Sequence, residues 1–151
     1  MLDDQPKKWV GGICIRDSKI LLIYRINKEK DLHKEYFVFP GGTVEDDQTI
    51  EETLIKEFED ISISVTLGDL FYSKEGDEEE ESEYYYMCTH VLGDPSSFKA
   101  KNKEDLDETK EKTQFYTPMW VAMSELEEMI VYPESMKAKL LQELGGKSRW
   151  K

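Results

Sequence analysis

Apolar and polar positions along this chain follow two periods, and the change from one to the other marks its elements. Trp9 to Arg16 and Lys19 to Arg25 read as strands joined by the turn residues Asp17-Ser18, and the nearly all-apolar run Ile20-Leu21-Leu22-Ile23-Tyr24 predicts a central position. Asn27 to Lys34 is a charged loop, and Glu35 to Phe39 a short aromatic strand that delivers the chain to a turn at Pro40-Gly41-Gly42. Ser64 to Tyr72, Tyr84 to Leu92 and Gln114 to Val121 are three more strands; the Glu-rich run Gly76 to Glu83 reads as a solvated hairpin tip. The helical period appears where Ile50, Leu54, Phe58 and Ile61 form one stripe, and again over Glu134 to Leu144, where Met136, Leu140, Leu141 and Leu144 share a side. Ser124 to Glu127 carries the capping-box pattern of a short helix. Strands, helix, strands, helix is the order of an α+β fold with a mixed β-sheet sandwiched by helices. Residues 1–145 are expected to form a single domain and 146–151 a flexible tail.

Charge narrows the partners. A net charge of −13 in 151 residues argues against binding a nucleic acid polymer or an anionic membrane. No stretch approaches the length of a transmembrane span, and Met1-Leu2-Asp3-Asp4-Gln5 lacks a leader's basic and apolar regions, so the expected location is cytoplasmic. Cys14 and Cys88 sit inside strand-like runs and are expected to be buried free thiols. Cys88 and His90 have the strand spacing of half a zinc site, but no second pair completes it.

Chemistry concentrates between Gly41 and Ile63. Thr49 and Glu52 form a capping box, and Glu52 and Lys56 have the favourable i,i+4 orientation of an ion pair, so a helix is expected from Thr49 to Asp60. At a helical period Asp60 lies roughly 60° from Glu57, whereas Glu59 lies roughly 160° away. Glu57 and Asp60 can therefore share one cation. Hard cations such as Mg²⁺ accept one or two carboxylates and complete their shell with water and substrate phosphate. Such an ion would also supply the positive charge that this acidic chain needs to hold an anionic substrate.

The segment resembles the box of the Nudix hydrolase family, with Gly42 at its opening glycine, Glu57 at the principal metal-binding Glu and Phe58 at the apolar position that follows. Gln48 stands where that pattern has Glu and Lys56 where it has Arg, so a Gln–Lys hydrogen bond is expected to replace the family's salt bridge. The end of the box admits two alignments. Without a gap, Asp60 and Ile61 take the closing pair of acids and Ile63 the glycine; with one residue deleted, Glu59 and Asp60 take the pair and Ser62 the glycine. The resemblance implies a Nudix-type α/β/α sandwich and a metal-dependent pyrophosphohydrolase that cleaves a nucleoside diphosphate linked to another moiety, of the nucleoside triphosphate or nucleotide-sugar class. It implies Mg²⁺ (or Mn²⁺) held by Glu57, Asp60, the Gly41 carbonyl and, in the gapped alignment, Glu59; catalytic roles for Glu57, Lys56 and Asp60; and a phosphate contact from Arg25. The general base is expected among Glu104, Glu108 and Glu111, and Tyr36, Phe37, Tyr85 and Trp120 are aromatics able to stack on a base. The altered box also fits another class, a nucleotide-binding sensor with impaired catalysis. A homodimer is the default expectation for assembly.

Overall fold

The computed structural model describes residues 7–27, 34–77, 79–95 and 114–145. The first expected strand is two. Lys8–Ile13 (β1) and Ile15–Arg16 (β2) part at the fully buried Cys14, where the chain passes from one sheet into another. Asp17 and Ser18 both have positive φ, 55° and 64°, the mirror-image turn that suits a tight hairpin. That hairpin leads into Lys19–Asn27 (β3), followed by Lys34–Val38 (β4) and by Gly41–Thr43 (β5). The Pro40-Gly41-Gly42 turn thus passes directly into a three-residue strand, an element absent from the sequence reading.

Helix α1 spans Ile50–Glu59, and Ile63–Lys74 (β6) and Ser82–Gly93 (β7) form a long hairpin after it. The chain closes with Gln114–Ala122 (β8), a 3₁₀ helix at Met123–Glu128, Val131–Tyr132 (β9) and helix α2 at Glu134–Leu144. Ala122, not Ser124, is the N-cap of the 3₁₀ segment, and the capping box expected from Ser124 to Glu127 does not form.

Among the described residues the strands make two mixed sheets rather than one. The first has the order β5-β1-β7-β6, with β1 and β7 parallel. In the second, β3 is central as its apolar run requires: β8 lies along one side, β2 and β4 along the other, and β9 adds in parallel to β4. Two apolar cores result. Val10, Leu21, Leu54, Phe58, Ile61 and Ile63 pack one, under α1; Ile13, Leu22, Phe39, Tyr85, Leu126 and Met136 belong to the other. This is the α+β sandwich that the pattern predicts.

Cys14 and Cys88 are free and buried, and their hydrogen bond together with burial pushes the Cys14 thiol up, keeping it protonated. His90 is exposed with φ 51°, so Cys88 and His90 do not share a face. Among the described residues no helix is long and apolar enough to cross a membrane.

Candidate active site

The site is built where α1 lies on the first sheet. Thr49 caps the helix as expected: its hydroxyl accepts from the Glu52 N–H at 3.0 Å, and the Glu52 carboxylate accepts from the Thr49 N–H at 2.9 Å. That bond engages Glu52, and Lys56 pairs forward with Asp60 at 3.7 Å instead of back with Glu52. The expected Gln48–Lys56 contact is absent too. Gln48 Oε1 accepts from Thr53 Oγ1 at 3.0 Å, so a neutral bond to a buried threonine ties the loop to the helix one turn before Glu57.

Glu57 is half-buried on the side of α1 that meets β5. A Cβ at Gly42 would lie 2.6 Å from Glu57 Cδ, so the missing side chain is the space in which the carboxylate sits. Burial pushes the Glu57 carboxyl above its ordinary range; the charge of Asp60 adds to the rise and that of Lys56 opposes it. Two carboxylates and one ammonium therefore share this side of the helix end. Glu59 lies elsewhere, beside Ser62, Leu92 and Gly93 on another surface.

The helix end bears on the alignment of the box. Ser62 has φ 68°, the left-handed conformation that favours glycine, and it occupies the glycine position of the gapped alignment. Ile61 is 3% exposed in the core with Leu54 and Phe58, so no acid stands there. The gapped alignment thus fits the helix terminus, while helical geometry still groups Asp60, and not Glu59, with Glu57.

On the opposite face of the same sheet lies a cavity of about 360 Å³ lined by Trp9, Arg25, Glu81, Glu83, Tyr85 and Tyr132 among others. Arg25, singled out from sequence, reaches it from β3. Of the four aromatics named above, only Tyr85 lines it. Trp120 lies under the Arg16 guanidinium, 4.5 Å from the ring centroid, while Phe37 packs on Tyr24 and Tyr36 on Tyr132. Trp9 and Tyr132, missed from sequence, contribute because the strands that carry them come from different sheets. The edge strand β5 is the rim between cavity and helix: Gly42 faces Glu57, while its neighbour Thr43 pairs in register with Trp9. The general-base candidates Glu104, Glu108 and Glu111 lie outside the described residues.

The donor set suits a hard divalent ion, since two carboxylates on adjoining turns beside a glycine backbone leave most of the shell to water and phosphate. Among the described residues no three acid, His or Cys side chains come together at one point. Any such ion would depend on substrate oxygens and water for the rest of its coordination.

Comparison with known proteins decides the family. The model of the NUDIX domain matches residues 6–142. The chain belongs to the Nudix family. Among curated relatives, an ADP-ribose pyrophosphatase of Methanocaldococcus jannaschii is 42% identical over 55 residues, which span 36% of this Nudix chain but only 31% of that protein. Solved structures resemble its fold along nearly its whole length. The E. coli ORF135 protein superposes with a TM-score of 0.62 at 19% identity, covering 93% of this chain and 90% of that one. A MutT structure from a study of the Aliivibrio salmonicida and Vibrio cholerae proteins gives 0.60 at 19% identity, covering 93% and 98%. A UDP-X diphosphatase gives 0.57 at 14% identity, covering 97% and 68%. At these identities the likeness speaks for the fold alone.

Proposed function

We propose that this chain is a pyrophosphohydrolase that cleaves the diphosphate bond of a nucleoside diphosphate linked to another moiety. The observation that carries the reading is Glu57, its carboxylate seated against Gly42 and beside Asp60, across the edge strand β5 from an aromatic cavity. The names of two similar proteins, ADP-ribose pyrophosphatase and UDP-X diphosphatase, describe substrates of this general class.

In this reading the nucleoside enters between Trp9 and Tyr132, and its phosphates cross the glycine-lined rim of β5 toward Glu57. Arg25 offers a planar guanidinium that suits a phosphate passing through the cavity. Glu57, Asp60 and the Gly41 carbonyl would hold Mg²⁺ or Mn²⁺, which when bound supplies positive charge to polarise a phosphoryl oxygen and acidify a water. Lys56, more than half exposed, pairs with Asp60 at 3.7 Å and is accessible to a phosphate oxygen. Glu59 takes no part. A base from Glu104, Glu108 or Glu111 would accept the proton of the attacking water.

A second reading, a sensor that binds without cleaving, is favoured by the pairing of only Glu57 and Asp60 where the family box has more acids. Hydrolysis of nucleoside triphosphates, nucleotide sugars and dinucleotide polyphosphates, read as the nucleotide products formed with Mg²⁺ or Mn²⁺ and again with EDTA, separates the two. The hydrolase reading expects metal-dependent turnover of one class. Metal-dependent binding with no turnover of any would replace it with the sensor.

Gly42→Ala probes the geometry. The added methyl must displace the Glu57 carboxylate, and a displacement of about 1 Å at a reacting centre costs roughly 10²-fold in rate. Turnover is expected to fall by that order while nucleotide binding in EDTA persists. Wild-type kcat in the variant would show that Glu57 need not lie against Gly42.

A further inference from the structure

We propose that the cavity selects a base presenting two adjacent N–H donors, the guanine edge, and that Glu83 is the residue that reads it. The inference deepens the hydrolase reading and rests on it for the direction in which the phosphates leave.

Strand register makes the argument. Thr43, Trp9 and Glu83 are direct neighbours across β5, β1 and β7, so their side chains share the cavity face in one row. Trp9 folds down over two glycines: a Cβ at Gly11 would lie 2.5 Å from its Cζ3, and one at Gly41 2.7 Å from its Cη2. Side chains at Gly11 and Gly41 would lift the indole; their absence lets it lie along the sheet as a stacking surface, with Tyr132 contributed by the other sheet. Tyr132 is itself steadied by edge contact with Tyr36, at 5.4 Å between centroids.

A base on this surface turns an edge toward Glu83. The carboxylate is oriented from behind, because Glu83 Oε1 accepts from the Tyr85 hydroxyl at 2.9 Å and Tyr85 is wedged among Trp9, Phe39 and Tyr72. Burial and the Glu83 charge push the Tyr85 phenol up, so that hydroxyl stays a donor. Glu81, the second acid at the wall, is exposed and lies outside the Thr43, Trp9, Glu83 row, its Oε2 accepting from the Thr43 hydroxyl at 2.7 Å. An ionised carboxylate only accepts. Guanine offers a ring N–H and an exocyclic amino group side by side, matching both oxygens of one carboxylate. Adenine and cytosine place an acceptor beside their amino group, and uracil flanks its N–H with two carbonyls, so each sets a lone pair against the acid.

Titration of the ¹⁵N-labelled full chain with guanosine, adenosine, cytidine and uridine in EDTA, followed by NMR shifts, tests this without metal or phosphate. Guanosine is expected to bind about tenfold tighter than the others, and Glu83→Gln to erase the preference while Glu81→Gln retains it. Should Glu83→Gln fail to fold, Glu83→Asp keeps the charge but withdraws it by one methylene and is expected to weaken the same preference. Equal binding of the four nucleosides, binding of none, or a guanosine preference that survives both Glu83 variants would overturn the proposal. The hydrolase reading would still stand or fall on metal-dependent cleavage of the diphosphate bond.

Discussion

Glu57→Gln is expected to lower metal-dependent turnover by about 10³-fold, equivalent to about 4 kcal/mol of lost transition-state stabilisation. The same change is expected to raise the melting temperature of the metal-free protein. Burial lifts the folded pKa of Glu57 above its unfolded value, with Asp60 adding to the rise and Lys56 opposing it. Above that folded pKa the charged carboxylate therefore costs the native state stability. As pH falls through it, the native state takes up the proton first and the penalty is relieved. Glutamine carries no such penalty at any pH. The variant should thus melt higher than the parent at pH 7, with the gap closing on acidification. Calorimetric scans in EDTA at several pH values, beside nucleotide product formation with Mg²⁺, read both effects. A variant that keeps its turnover would show that Glu57 is not needed for the chemistry, and one that melts lower at neutral pH would show that burial does not penalise its charge.

The next residue carries the largest expected effect on stability. Phe58 is fully buried beneath α1, and its ring fills the space above Gly12, where a Cβ would lie 2.5 Å from Phe58 Cε2 and 2.9 Å from Cys88 Sγ. Phe58→Ala removes that ring and leaves a cavity among Leu54, Ile61 and Cys88, at a cost of about 3–5 kcal/mol. For a chain of this size each kcal/mol shifts the melting point by about 2–4 °C, so a fall of about 10 °C is expected. Because Phe58 fixes the rotation of the helix that presents Glu57, turnover should decline with it even well below the transition. A loss of less than about 1 kcal/mol in urea unfolding would mean that the core closes over the gap, against the close packing that interiors show.

These two neighbours show how much of the site was legible in one dimension. The stripe Leu54, Phe58, Ile61 and the Thr49–Glu52 box predict the helix, its ends and the grouping of Glu57 with Asp60, all of which depend on residues at most a few turns apart. The polar partners were legible only in part. Glu52 and Lys56 have the right spacing to pair, but the cap engages one and Asp60 takes the other. Gln48 bonds to Thr53, a choice that depends on how the loop folds back on the helix. The break of the first strand at Cys14 left no signal in the hydrophobic pattern, because both halves alternate correctly and only their partners differ.

By itself the amino-acid sequence determined the α+β class, the acidic surface, the capped helix and the face on which two of its carboxylates meet. Each follows from local periodicity and from side chains that touch within a turn or two. Tertiary structure alone decided that Trp9 lies over Gly11 and Gly41, that Glu83 stands beside it, and that Tyr132 faces the same cavity. A period of two tells which side of a strand a residue occupies, but not which distant strand becomes its neighbour. That choice comes from long-range register and the packing of two sheets, where the cavity arises.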